Sequence, residues 1–389
     1  MRILLISEVT SRMLGGVPAE TAHFIRGFAA RGHAVALLGD RPLPSAPQAD
    51  HYTLTMPAGE RFVAETQRAI DAFRPSVVHV MGLFPRNTLR LAPLLSGSGL
   101  PWVFTCHAVS PYERTVAGLH GSEWLHYAAR ALRYARNTLG ARLLLRSGVA
   151  PQVIVHSAYV ADIVRRYGCP ADRIANIPLG FESRHARGEL ASGQVTGAPR
   201  LVTVAGLAHT KGQHDVLRAL PAIVARHPEL VYTIVGEPRE RTYVGYLREQ
   251  VRALGLDEHV RFALSVSEAE KQALLRDADL YLQPSHEEGF CLSFVEAAAV
   301  VPRLVGTRTG AIAQVSAGDE GIRVVSPRRP DELAQAALDL LGRTLPLDLM
   351  KRREARLEAQ LSWSRYVDEH EALYARLLHV QPQVAVAAG

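Results

Sequence analysis

Cysteine is scarce: three residues among 389, Cys106, Cys169 and Cys291, at spacings that match no metal-binding pattern. That scatter excludes a disulfide framework and reads as reduced thiols in a cytoplasmic protein. No run of about 18 apolar residues occurs, so a membrane-spanning helix is not expected. The apolar stretch after Met1 is short and has no small-residue cleavage site behind it, so it reads as a buried strand rather than a signal peptide. No Gly-x-Gly-x-x-Gly follows that strand, which disfavours a nicotinamide enzyme. Lysine is nearly absent, at 211, 271 and 351 only, leaving 41 of the 44 basic residues as arginine. The net charge of +6 suits anionic small ligands or an acidic membrane surface. No basic tract with interleaved aromatics supports a nucleic-acid groove.

What the chain does have is alternation. Short apolar runs at 2–7, 34–39, 76–82, 101–107 and 151–157 read as strands buried on both faces. Amphipathic segments separate them, the pattern of βαβ units and a parallel sheet. Phe24 with Phe28, and Ile25 with Ala29, repeat at i,i+4, and Gly32 suits a helix end. A second helix presents Val63, Thr66, Ile70 and Phe73 and stops at Pro75. Residues 181–199 are polar, glycine-rich and aperiodic, a linker. A second series of strands follows at 200–206, 231–237, 260–264, 278–285, 302–308 and 321–326. A last helix near 365–379 carries Tyr366, His370, Leu373 and Leu377. The expected architecture is α/β: two doubly wound parallel-sheet domains, 1–180 and 200–364, facing a central cleft.

Ligands of open α/β sheets bind beyond the carboxyl ends of strands. Gly15-Gly16 follow the first strand, His107 the strand at 101–107, and "LAHTKG" with Lys211 the strand at 200–206. Glu237 and Val266 follow two more, and "PSHEEGFCLSFVEAAA" follows the strand at 278–285. In that last stretch Glu288 and Glu296 lie eight positions apart. Within one helix they would point about 80° apart. With Glu288 in the turn and the helix starting near Cys291, both can face one site, and the helix terminus at Phe290, Cys291 and Leu292 offers amides to a diphosphate. The plainer reading is a solvated helix face, and for His107 a satisfied core histidine. "GLAHTKG" is no phosphate-binding P-loop, because Lys precedes Gly and no Ser or Thr follows for magnesium. Asp277 and Asp279 read as a helix end and a strand start, so no metal site is expected there.

The stretches "GGVPAETAHFIRGFAARGHAV", "FTCH", "VAGLAHTKG", "IVGEP", "PSHEEGFCLSFVEAAA" and "RTGAIAQV" together resemble a family 4 retaining glycosyltransferase of the GT-B fold, over nearly the whole chain. The resemblance implies two Rossmann-like domains, the first for the acceptor and the second for the nucleotide sugar, with the final helix packing back on the first. It implies Glu288 on the donor sugar, Glu296 on the ribose, Lys211 on the diphosphate and His107 at the reaction centre. The implied nucleotide-sugar set is Gly16, Gly206, Lys211, Glu237, Val266, Glu288, Gly289, Phe290, Cys291, Leu292 and Glu296, with His107, Glu288 and Lys211 catalytic and no cofactor or metal. The donor would be a nucleotide-diphosphate sugar and the acceptor a hydroxyl, in bacterial cell-surface polysaccharide, glycolipid or secondary-metabolite synthesis. The alternatives are another GT-B enzyme (an epimerase or phosphorylase) or a non-catalytic nucleotide-sugar-binding protein. Departures from the family pattern are Gly206 where it carries Arg, Leu179 for Asn, and Ala311 and Gln314 for Gly and Glu. Finally, Leu125, Ala128, Leu132, Ala135, Leu139 and Leu143 form a stripe in 124–148 with five arginines mostly off it. One reading is an ordinary helix with exposed arginines; the other is docking to anionic lipid at the inner membrane face, where a lipid-linked acceptor would wait.

Overall fold

The computed structural model describes residues 1–7, 16–54, 61–81, 85–107, 135, 138–149, 152–181, 193–240 and 242–380. Its contacts divide the chain into two units, Met1–Gly180 with Leu361–Gly389, and Phe181–Gln360.

The first unit is built on β1 (Arg2–Ser7), β2 (Ala34–Gly39), β3 (Asp50–Thr53), β4 (Val77–Val80), β5 (Trp102–Thr105), β6 (Gln152–Val155) and β7 (Ile174–Asn176). They form a parallel sheet in the order β3-β2-β1-β4-β5-β6-β7. The central strands are covered on both faces, which is why they read as unbroken apolar runs. The edge strands β3 and β7 escape that reading: "DHYT" is polar, "IAN" is only three residues long, and both are half-exposed. The order reverses between β1 and β4, the place where the loops part and a ligand site opens in such sheets.

Helix Gly16–Ala30 buries Phe24, Ile25 and Phe28, and the left-handed Gly32 (φ 78°) follows its end. In helix Arg61–Phe73 one expected position is corrected. Val63 is 36% exposed, and Phe62 and Ala69 join Thr66, Ile70 and Phe73 in the core. The stripe at 124–148 is also corrected where it is described. Ala135, Leu139 and Leu143 face outward, and Thr138, Ala141, Leu144 and Leu145 are buried instead. Leu125, Ala128 and Leu132 lie outside the described residues.

The C-terminal helix Trp363–Val380 packs on helix Gly16–Ala30. Gly27 makes room for it, because a Cβ there would lie 2.5 Å from Val367 Cγ2. Trp363 stacks on His23 at 4.0 Å, and Arg31 and His33 each reach Glu371 at 2.8 Å. Tyr366, Val367, His370, Leu373 and Tyr374 are buried, whereas Leu377 is only half-buried.

The second unit is a parallel sheet of β8 (Arg200–Val204), β9 (Val231–Gly236), β10 (Val260–Leu264), β11 (Leu280–Gln283), β12 (Arg303–Thr307) and β13 (Ile322–Val325), in the order β10-β9-β8-β11-β12-β13. Its order reverses between β8 and β11. Helix Leu349–Gln360 is anchored by the fully buried Arg353, which pairs with Asp319 and donates to the Val301 and Pro302 carbonyls. Residues 182–192 of the expected linker lie outside the described residues. Beyond them the Gly193 carbonyl accepts from Arg303, and Val195 packs against the second core. No helix among the described residues is long and apolar enough to cross a membrane.

Candidate active site

The reversal between β8 and β11 brings two loops together in the second unit. The loop after β8 turns through His209–Lys211 and Gly212, and helix Gln213–Val224 begins there. Gly212 has φ 68°, and a Cβ on it would run into the Pro284 carbonyl oxygen, so no other residue fits without moving the backbone. His286 N–H donates to the Thr210 carbonyl at 2.8 Å, which stitches this loop to the one after β11. Beneath them the buried His286 and Asp215 side chains meet at 2.7 Å.

Across that seam Lys211 Nζ lies 2.8 Å from Glu288 Oε1. Ser285 Oγ donates to the same oxygen at 2.7 Å, and Gln283 Nε2 holds Ser285 at 2.8 Å. Glu288 is 10% exposed and Lys211 30%, so both ends of the pair stay partly open to solvent. Burial pulls the Lys211 ammonium down, but Glu288 outweighs it and raises the group above the usual lysine range.

The rest of "EEGFCLS" is braced from behind. Cys291 takes a left-handed φ of 80° and caps the short helix Leu292–Ala298 with its carbonyl, which accepts from Phe294 N at 3.1 Å. Phe290 and Cys291 are buried, and burial pushes the Cys291 thiol far up, so it stays protonated. Ala311 N–H donates to the Phe290 carbonyl at 2.9 Å. Gly310 (φ 54°) sits so close that a Cβ would be 2.9 Å from Glu288 Cβ. Glu296 faces a different partner, Lys271 Nζ at 3.4 Å. The two glutamates therefore hold different lysines, and those are two of the three lysines in the chain.

Gly206 has its own neighbour. A Cβ on it would lie 2.7 Å from Arg239 Cγ and 3.2 Å from Arg239 Nε. The parallel bridge Leu207–Pro238 brings this about by joining the loops after β8 and β9. In that bridge Glu237 is engaged through its backbone carbonyl, which accepts from Leu207 N at 2.7 Å. Val266 is half-buried, just before the Ser267 capping box of helix Glu268–Arg276. Asp277 and Asp279 sit at the opposite, amino edge of the sheet and face Arg200, 3.9 Å from each.

In the first unit, His107 follows β5, and its Nε2 lies 2.7 Å from Glu20 Oε2. Glu20 comes from helix Gly16–Ala30 and is fully buried. Its other oxygen, Oε1, faces His156 Nε2 at 3.1 Å and accepts from Tyr366 Oη at 2.6 Å. Gly16 is the exposed first residue of that helix, and Gly15 lies outside the described residues. Among the described residues two donor groups have ligand atoms within 4.8 Å of one another, Glu20–His107–His156 and His214–Asp215–His286.

Glu20, His156, Arg239 and Lys271 were not singled out from the sequence. Glu20 was readable as a charge in register with Phe24 and Phe28 on the apolar face, and His156 as a strand-end histidine. Nothing local marks Arg239, and Lys271 stands out only as one of the three lysines in the chain.

Residues 14–184 match the sequence profile of Glycosyltransferase Family 4, and residues 191–357 that of Glycosyl transferases group 1. The chain is 28% identical to glycogen synthase of Mycobacterium tuberculosis, over 98% of this chain and 97% of the relative. It is 26% identical to an MMP alpha-(1->4)-mannosyltransferase of Mycolicibacterium hassiacum, over 97% and 98%. Among solved structures it resembles sucrose-phosphate synthase from Thermosynechococcus elongatus (TM-score 0.76, 19% identity, 97% of this chain and 99% of that one). It also resembles Anabaena HepE in complex with UDP and glucose (TM-score 0.73, 18% identity, 97% and 100%). These two structures share its fold, two parallel-sheet α/β domains of the GT-B type. The chain is a glycosyltransferase and belongs to glycosyltransferase family 4.

Proposed function

We propose that the chain moves a sugar from a nucleoside-diphosphate sugar to a hydroxyl acceptor with retention of anomeric configuration. The observation that carries this reading is the Lys211–Glu288 pair at the β8/β11 reversal. A lysine and a carboxylate side by side suit a ligand with a diphosphate next to a sugar. Lys211 takes the charge that develops on the leaving diphosphate, and Glu288 accepts hydrogen bonds from sugar hydroxyls. Arg239, lying across Gly206, supplies the guanidinium that the family carries at that position. Glu296 accepts from the ribose. His107 belongs to the reaction centre. The bond from the anomeric carbon to the diphosphate breaks, the acceptor oxygen bonds on the same face, and its proton passes to the departing phosphate.

Relatives named glycogen synthase and mannosyltransferase place polysaccharide and glycolipid synthesis first among settings to test. Leu139 and Leu143, 58% and 51% exposed and flanked by Arg142 and Arg146, favour an acceptor presented at an anionic lipid surface.

Thermal shift against UDP-, GDP- and ADP-sugars tests the donor assignment, since a ligand of the folded state raises the melting temperature by mass action. One nucleotide sugar should raise it without divalent metal, and transfer should proceed in a chelator. Binding abolished by chelator and restored by manganese would overturn the metal-independent reading.

A further inference from the structure

We infer that Glu20 is the positioning residue of His107: it fixes the ring as the Nε2–H tautomer and leaves Nδ1 as an acceptor for a sugar or acceptor hydroxyl, with His156 as its counter-ion and Tyr366 as its latch. The inference rests on the reading of His107 as a reaction-centre residue.

A carboxylate only accepts hydrogen bonds, so each group aimed at it must bring a proton. His107 Nε2, at 2.7 Å, therefore carries its hydrogen on that nitrogen, and Nδ1 is the atom left for a substrate. Tyr366 Oη donates to Oε1 from the C-terminal helix. His156 is different, because both of its nitrogens face acceptors: Nδ1 lies 2.8 Å from the Ile177 carbonyl and Nε2 lies 3.1 Å from Oε1. The Nε2 contact is an ion pair rather than a well-aimed hydrogen bond. His156 thus holds two protons and cancels the buried charge of Glu20. The energetics agree. Burial pushes the Glu20 carboxyl up, but His156 and His107 outweigh it and hold it well below the carboxylate range. Burial likewise lowers His156, and Glu20 more than reverses that.

Among the described residues, the other groups packed around the cluster bring no rival charge. From β4, burial holds His79 well below the usual histidine range, and its nitrogens engage Thr105 Oγ1 and Tyr374 Oη at 2.6 Å. From the C-terminal helix, burial pushes His370 down to about 4 and keeps the Tyr366 and Tyr374 hydroxyls protonated. Glu20 is wholly buried while His107 is 20% exposed, so the buried charge leads outward to a ring that a ligand can reach. Buried ion pairs in general add little stability over well-packed apolar residues, so packing alone does not account for the cluster.

The test compares Glu20→Gln, Glu20→Asp and His156→Gln, with His107→Gln as reference. Its readouts are donor kcat and KM, nucleoside-diphosphate affinity, and the imidazole nitrogen resonances of His107. Glu20→Gln should lower kcat tenfold or more, change donor KM and nucleoside-diphosphate affinity less than twofold, and abolish the Nε2–H signature. Glu20→Asp should recover part of the kcat. His156→Gln should make His107 the only imidazole facing Glu20 and shift the pH profile of kcat. That variant also carries the test if Glu20→Gln fails to fold. Wild-type kcat with an unchanged His107 tautomer in Glu20→Gln would overturn the inference. So would stoichiometric zinc bound at Glu20, His107 and His156 whose removal abolishes activity. If His107→Gln retains full turnover, the reaction-centre reading of His107 fails, whereas the tautomer measurement still decides whether Glu20 positions the ring.

Discussion

At the scale of single residues, the Lys211–Glu288 contact changes what substitutions should do. Glu288→Gln removes the charge that holds Lys211. Free nucleoside diphosphate should then bind as tightly as before or tighter, by up to about 1.5 kcal/mol, the scale of a charge-assisted hydrogen bond, while transfer falls. Glu296→Ala should weaken the nucleoside diphosphate and the intact donor alike, by roughly 1.5–3 kcal/mol. Calorimetric titration of both variants decides; equal loss of nucleoside diphosphate in the two would merge their roles. Arg239 gives a second test. Gly206→Arg alone should bring no gain, because the Arg239 side chain already occupies that space. Arg239→Ala should weaken nucleoside-diphosphate binding by about 1–2 kcal/mol, and the double variant should recover it. Tight binding by Arg239→Ala would remove Arg239 from the diphosphate site. Lys211 and Glu288 were each legible because they follow strands. Their pairing was not, because 77 residues separate them and only the strand order brings them together. Glu20 is legible only as a carboxylate on an apolar helix face, because its partners His107, His156 and Tyr366 lie far along the chain.

At the scale of elements, the loops after β8 and β11 act as one piece. Gly212 is the joint, with φ 68° and the Pro284 carbonyl where a Cβ would go. Gly212→Ala should cost about 2 kcal/mol or more of stability, from the left-handed backbone and the clash together. It should also weaken nucleoside-diphosphate binding, since Lys211 precedes the joint. Urea unfolding with and without ligand measures both, and an unchanged midpoint would mean the loops are not coupled there. The buried strands were readable to within a residue or two, because a strand covered on both faces leaves an unbroken apolar run. Edge strands β3 and β7 leave no such run. The helical stretch around 138–146 misled for another reason. Leu139 and Leu143 are as apolar as Leu144 and Leu145, so periodicity alone could not tell which face turns inward.

At the scale of the whole molecule, buried histidines set the response to acid in both units. Burial pushes His370 in the first unit and His286 in the second down to about 4. In the unfolded chain each returns to about 6.5. Between those values the unfolded state binds protons that the folded state refuses, so stability falls as pH falls through 6.5 to 4. Each site can cost up to about 3 kcal/mol across that window. His156 acts in the opposite direction. Its raised value means that its contribution is complete below about 6.5 and is lost only as pH rises through its folded value. Glu20 and Asp215 are held low, so their contributions fade only below the ordinary carboxylate range. The pH 6.5–4 window therefore belongs to the buried neutral histidines. The melting temperature should drop steadily from pH 7 to pH 4, and steepen below about 4.5 as the carboxylates join. Calorimetric scans at pH 7, 5.5 and 4 read the slope. His286→Gln should flatten it by the uptake of one proton, even if that variant starts from a lower melting temperature. A melting temperature constant between pH 7 and 5 would show that the histidines protonate within the folded chain, and the neutral state assigned to His286 and His370 would be wrong.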